Sequence, residues 1–427
     1  MEEVPEYVII GRSRVKFRQL RINTHPDIYG LYTITRWESD DSIKVGLNYI
    51  TVIHLLSLKN SISKTADVMN ISVKEVKDII LQLIEQDIVY QIGKDILPNK
   101  SIPIRPLFPQ IEHKYFSWFI SPWFLFPSLF FISVGSVIGI ITPGYFPTFK
   151  NYFWTQDYFT AYMTAYCAGI IFLFIHELGH YIATRAVGGQ ASMTIGIRFT
   201  SIVAETISYH IATIPKDLRY FIYASGIYFD LLVISSCYLV FFFADFFKLN
   251  LGMTRLIMMV IVMNQMRGIV WQFNAYLKTD IYNFLTDFLD HEYLQENATK
   301  FILNKLKKVD DHFYKPFRIV TKKMIRKDTN VLNSDDLRTL KHEDVREMKV
   351  YTIVLIAGFG LSIMQLVTYT FPKDCFFLMG VLKTISHDLS TLDFIGILKS
   401  LIIFGLISSS YIMIIVNLFH SKKGGKN

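Results

Sequence analysis

The sequence predicts an α-helical polytopic membrane bundle of about six transmembrane helices, preceded by a small α+β domain. Three observations predict it. Hydrophobic residues make up 51% of the 427 positions and charged residues only 19%, against about 25% charge in an ordinary soluble domain. After Pro106, apolar runs recur at roughly the 20-residue length needed to cross hydrocarbon. Before Pro106 the patterning is that of a soluble domain. The spacing and composition divide the chain into a domain over 1–110, a membrane core over 116–290, a basic loop over 291–348 and two C-terminal helices with a basic tail over 349–427.

The N-terminal domain opens with YVIIGRSRVKFRQL and YGLYTITR, both read as strands. Three helices follow: YITVIHLLSL, SISKTADVMN and ISVKEVKDIILQLIEQ, the last with Val73, Val76, Ile79, Ile80 and Leu83 at helical spacing. DIVYQIGKDIL then alternates like a strand pair. Three helices and a β wing predict a winged helix-turn-helix. Its third helix carries Lys74 and Lys77 but also Glu75, Asp78 and Glu85, with no arginine. A groove-reading helix offers base-contacting Arg, Asn or Gln, so no nucleic-acid partner is expected. The N-terminus lacks a basic region followed by an apolar core, so no cleaved signal is expected and this domain is placed in the cytoplasm.

Six spans are expected near 121–142, 158–183, 220–244, 253–272, 350–371 and 394–418. Gly135 and Gly139 in the first make a GxxxG spacing, read as chance rather than as a packing motif. Basic residues cluster in alternate loops: Arg185, Arg198, Lys216 and Arg219 after the second span, Lys300 through Lys327 after the fourth, and Lys422, Lys423 and Lys426 in the tail. The loops 143–157 and 245–252 hold only Lys150 and Lys248, and 372–393 is mixed. This bias orients a multi-pass cell-membrane protein with both termini in the cytoplasm. It also accounts for the net charge of +8. Cys167, Cys237 and Cys375 are the three cysteines, with no CxxC, which disfavours a disulfide framework and a thiolate zinc site.

The chemistry sits in the second span. IHELGH, residues 175–180, interrupts an apolar run. Histidine or glutamate inside a span costs several kcal/mol unless ligating or paired, and a metal compensates three polar side chains in five residues. On a helix His176 and His180 share one face, so both imidazoles can bind one Zn2+, and Glu177 can act on a water in the open position. Gly179 leaves room beside the site. A third ligand is expected at the same depth. Asp280, just past the fourth span in QFNAYLKTDIYNFL, is chosen over Asp230 in the third span and Glu205 in a polar loop. Asn274 is a candidate for holding a substrate carbonyl, or else a helix-end cap.

HELGHYIATRAVGG, YASGIYFDLL and FNAYLKTDIYNFLTDF together resemble the site-2-protease class of intramembrane zinc metalloproteases. The nearer likeness is to the bacterial branch of peptide zinc metalloproteases that accompanies peptide-modifying enzymes. Ala275 and Ile281 depart from that class, which usually has proline and glycine there. The resemblance covers roughly 165–290 and implies a zinc metalloendopeptidase with zinc on His176, His180 and Asp280, and Glu177 as catalytic base. It also implies that residues 1–110 bind the leader of a ribosomally made precursor peptide by strand addition. Two other functions stay open: release of a membrane-anchored regulator, and a non-enzymatic export or immunity protein with a structural metal.

Overall fold

A computed structural model describes residues 15–23, 26, 30–58, 60–92, 95–98, 103–198, 201–274, 277–289, 295, 298–299 and 342–423. The basic run Lys300–Lys327, Ala275 and the start of the first predicted strand lie outside the described residues. The chain forms two compact units. The first takes in the N-terminal region through Phe119, Tyr181–Ser192 and Ile207–Arg219; the second takes in Ile120–His180, Met193–Thr206 and the chain from Tyr220 onward.

In the first unit, strands β1 (Val15–Phe17), β2 (Leu20–Ile22), β3 (Tyr32–Arg36) and β4 (Ser42–Val45) precede helices α1 (Leu47–Ser57), α2 (Ile62–Met69) and α3 (Val73–Glu85). Strands β5 (Val89–Ile92) and β6 (Asp95–Ile96) follow. The three helices sit where periodicity put them, and DIVYQIGKDIL is the expected strand pair. The unexpected feature is the pairing: β1 joins β5 and β6 in one antiparallel sheet, and β2-β3-β4 form a second. Local cues start and stop the helices. Ser61 caps α2, and Ser72 with Glu75 closes a capping box on α3. Ile34, Val52, Ile62, Val76, Ile80 and Leu83 form the core. Beside it Asp87 is held between Arg18 and Arg36, all three nearly buried.

The N-terminal strands also grip later parts of the same unit. Arg21 on β2 donates to the Gly188 carbonyl at 2.7 Å. The Tyr181 hydroxyl donates to the Leu107 carbonyl at 2.9 Å, and the Leu107 N–H to the Ala191 carbonyl at 2.8 Å. Buried Arg185 donates to the Ile111 carbonyl and lies over the Phe116 ring. His210, left-handed at φ 62, stacks on Trp37 with centroids 5.3 Å apart. Its backbone N–H donates to Asp40, and its Nε2 contacts the Ser39 carbonyl at 3.2 Å.

In the second unit, α4 (Pro122–Ile141), α5 (Tyr158–Ala186), α6 (Lys216–Phe246) and α7 (Met253–Gln272) are each long and apolar enough to cross a membrane; α5 and α6 run on into the first unit. A fifth such run is Lys349–Thr391. Trp123, Phe126 and Phe130 on α4 are more than 70% exposed, an apolar face of the kind that lipid covers. Strands β7 (Gln190–Arg198) and β8 (Ser201–Tyr209) pair between α5 and α6. The short helix α8 (Asp280–Phe288) follows α7.

Two expectations are corrected here. The GxxxG spacing is a real packing face: a Cβ on Gly135 would lie 2.5 Å from Ser235 Cβ, and one on Gly139 2.1 Å from the Tyr238 ring. Only residues without a side chain let α4 and α6 approach this closely. The segment 372–393, expected as an external loop, is largely helical. Helix α9 (His342–Gln365) passes through a π turn at Leu366–Thr370 directly into α10 (Phe371–Thr391). Pro372 lacks an N–H and crowds the preceding turn, and the wider π turn before it lets the helix continue. Lys373 and Asp374, which made the segment look polar, pair with each other at 2.7 Å, and Tyr411 donates to Asp374. The Lys349–Thr391 run spans about 65 Å at 1.5 Å per residue, twice the hydrocarbon thickness. Helix α11 (Phe394–Lys423) packs back on α10 and the start of α5 through Tyr162, Phe377, Val381, Ile403 and Ile407. Its apolar part, Phe394–Ser409, is shorter than a span, so the described residues hold five helical runs long and apolar enough to cross a membrane rather than the expected six.

Two outcomes follow from these contacts. Gly139→Ala should cost about 1–3 kcal/mol through overpacking, read as a lower unfolding midpoint in detergent. Burial, aided by the nearby Arg21 charge and opposed by Asp40, holds the His210 imidazole below its ordinary value. Its contribution to stability is therefore complete above about pH 6.5 and declines as pH falls, because the opened form takes up the proton first. Protection of the 207–214 amides, taken relative to their intrinsic exchange rate at each pH, should fall between pH 7.5 and 5, and His210→Gln should flatten that fall.

Candidate metal centre

The candidate site lies wholly within the second unit and is built from four helices and one strand. Helix α5 carries His176, Glu177 and His180. An uninterrupted helix puts the two imidazoles on one face, one turn apart. Their Nε2 atoms lie 3.3 Å from each other. Asp280, the first residue of α8, brings Oδ2 to 3.1 Å from His176 Nε2 and 3.0 Å from His180 Nε2. Both histidines are buried and the Asp280 side chain is nearly so. Among the described residues this is the one group of three or more such side chains whose ligand atoms converge.

The outer nitrogens determine what the inner ones present. His176 Nδ1 lies 2.8 Å from Asp230 Oδ2, and His180 Nδ1 lies 2.8 Å from the Ile222 carbonyl. Both partners only accept, so each Nδ1 carries a hydrogen and each neutral ring turns a bare lone pair inward. Two lone pairs and a carboxylate oxygen facing one another repel unless a cation lies among them. Tetrahedral zinc with ligands at 2.0–2.1 Å would separate its ligand atoms by about 3.3 Å, and the three separations here are 3.0, 3.1 and 3.3 Å. The donor set and its spacing fit Zn2+.

Helix α6 shapes the floor. A Cβ on Gly226 would lie 2.3 Å from His176 Nε2 and 2.5 Å from His180 Nε2. The space that Gly179 was expected to leave open is filled by α6, since a Cβ there would lie 2.7 Å from the Ser225 carbonyl. Glu177 faces β8: its Oε2 accepts from the Thr206 N–H at 2.8 Å, and the Thr206 hydroxyl donates to its backbone carbonyl at 2.9 Å. The strand thus fixes where this carboxylate waits.

The structure brings His176, His180 and Asp280 together and places Asp230 behind the His176 ring, not on the inward face. Glu205 lies on β8 against Gly196, outside the cluster. Asn274 is fully buried, with its Oδ1 accepting from Ser362 at 2.7 Å, so it ties the turn after α7 to α9 and is not in contact with the ligand atoms. The amide that reaches the cluster is Gln272. Its Nε2 lies 3.2 Å from His176 Nε2, and its Oε1 accepts from the Asp280 N–H at 3.2 Å. The Thr279 hydroxyl donates to the Gln272 carbonyl, tightening the same turn. Sequence reading missed Gln272, Gln265 and Gly226. A signal existed for the two glutamines: they stand seven residues apart, on one face of a largely apolar helix whose other polar residues are Thr254, Arg255, Asn264 and Arg267. Gly226 had none, because its role depends on which helix lies opposite.

No family model, curated protein or solved structure matches this chain. The geometry alone therefore carries the assignment, and one substitution tests it sharply. Gly226→Ala should abolish binding of stoichiometric zinc, measured by metal analysis after purification without chelator, while leaving the amount of folded protein in the membrane unchanged.

Proposed function

We propose that this protein is a membrane-embedded zinc metalloendopeptidase that cleaves a precursor peptide near the cytoplasmic face of the cell membrane. One observation carries the reading: two imidazole nitrogens, on the same span helix as Glu177, and a carboxylate oxygen from α8 converge at tetrahedral-edge spacing. His176, His180 and Asp280 would hold the ion. When bound, zinc supplies Lewis acidity and a water acidified toward neutrality. Glu177 would accept a proton at a carboxylate oxygen from the attacking water and return it to the nitrogen of the leaving amine. Its tie to the Thr206 N–H keeps the carboxylate fixed between these two tasks. Gln272 Nε2, held by the Asp280 N–H on its other end, donates to the carbonyl oxygen of the scissile bond as charge builds there. Asn274 keeps a buried amide nitrogen with no partner among the described residues, and it supports the turn that carries Asp280.

The basic residues that follow α5, Arg185, Arg198, Lys216 and Arg219, support a cytoplasmic position for its histidine end. The N-terminal unit, read as a winged helix, is a candidate binder of the precursor's leader. Its β2-β3-β4 sheet ends in β2 on one side and β4 on the other, and an extended peptide adds to such an edge. Its ties to Gly188, Ala191 and His210 support a role in regulating or feeding the membrane segment as well.

Glu177→Gln discriminates between enzyme and binder. It should retain wild-type zinc content and lose cleavage by at least about 100-fold, followed by mass spectrometry of a co-expressed precursor peptide. Unchanged cleavage would remove Glu177 from the chemistry. Unchanged biological activity in the absence of any cleavage would favour an export or immunity protein with a structural metal.

A further inference from the structure

The two histidines are backed differently. His180 Nδ1 meets a neutral carbonyl, that of Ile222, whereas His176 Nδ1 meets a carboxylate, Asp230. Asp230 is 2% exposed, in the middle of an apolar span. Its second oxygen, Oδ1, accepts from Gln265 Nε2 at 2.6 Å, and Gln265 is itself buried on α7. Imidazole, carboxylate and amide thus form a chain that crosses from α5 through α6 to α7. An ionised carboxylate at such depth is costly unless its charge is answered. Two hydrogen bonds from neutral groups do not answer it.

We propose that Asp230 and Gln265 form a positioning pair that fixes the His176 ring and makes the site selective for a divalent cation. The inference rests on the zinc reading above. The carboxylate sits on the outward nitrogen of a ring whose inward nitrogen faces His180 and Asp280, so what it fixes is the direction of that inward nitrogen. The carboxylate raises the basicity of the His176 inward nitrogen and holds the ring in one orientation. Gln265 holds the carboxylate in turn, because its amide can donate only if its oxygen faces away. A core role alone would need neither the charge nor the alignment with Nδ1.

Three variants in the full chain separate these contributions. Asp230→Asn keeps a group that accepts from His176 but removes the charge. Asp230→Ala removes both. Gln265→Met keeps volume and removes the donor. Zinc affinity is measured by chelator competition, beside the visible spectrum of the cobalt-substituted protein and the melting temperature of the metal-free form. We expect Asp230→Asn to weaken zinc by roughly 10–100-fold, Asp230→Ala by more, and Gln265→Met by less. The cobalt spectrum should shift in all three while the metal-free melting temperature stays within a few degrees of wild type. Wild-type zinc affinity and an unshifted spectrum in Asp230→Asn would overturn the pairing. Should Asp230→Ala fail to accumulate, Gln265→Met decides by the same readouts. If His176→Ala also leaves zinc binding untouched, the metal-centre reading itself has failed, which is a different result from loss of the pairing alone.

Discussion

Three electron-rich atoms, two imidazole nitrogens and one carboxylate oxygen, are held within 3.3 Å of one another in a part of the chain built for hydrocarbon. Unfavourable by itself, this arrangement becomes favourable when a divalent cation sits among the three. The outward nitrogens of both rings are committed to acceptors, so neither ring can rotate or change tautomer to escape. Much of the surrounding structure serves that constraint. Gly226 allows α6 to close beneath the ligands, the turn after α7 aims Asp280, and Gln272 ties the first N–H of α8 to the ligand set.

The scaffold manages polarity in the same way elsewhere: several polar groups in the apolar bundle come in answered sets. Asn264 accepts from Tyr152 and donates to the Ala165 carbonyl. Asp374 meets both Lys373 and Tyr411. Asp245 is bracketed by Tyr145 and Arg255, whose guanidinium also covers the Tyr145 and Phe241 rings. Where water is scarce an unmatched polar group costs far more than at a surface. Each such residue therefore fixes a helix register. The cluster of His176, His180 and Asp280 differs because, under the zinc reading proposed above, its answer is an ion rather than another side chain.

The N-terminal unit is more than a tethered module. It incorporates Tyr181–Ser192 and Ile207–Arg219, stretches that adjoin His180 and Thr206 in the chain. Arg21, Trp37, Ser39 and Asp40 hold them through a stacked ring and directed hydrogen bonds. Within that unit these stretches are therefore held by directional contacts.

By itself the sequence determined the apolar spans, the three N-terminal helices and the pair His176 and His180. These depend on period and on neighbours within one element, and i,i+4 spacing on a continuous helix leaves little freedom. It narrowed the third ligand to a carboxylate at matching depth, and Asp280 is the one that arrives. Tertiary structure decided the rest. That Asp230 stands behind the ring, that Gln272 and not Asn274 reaches the cluster, and that Gly135, Gly139 and Gly226 are packing faces all follow from which helix lies opposite and at what rotation. Helical continuity through 372–391 was hidden for the same reason, because the charges of Lys373 and Asp374 are matched only after folding. A residue's pattern along the chain records its own helix, whereas its partner is set by packing between helices distant in sequence.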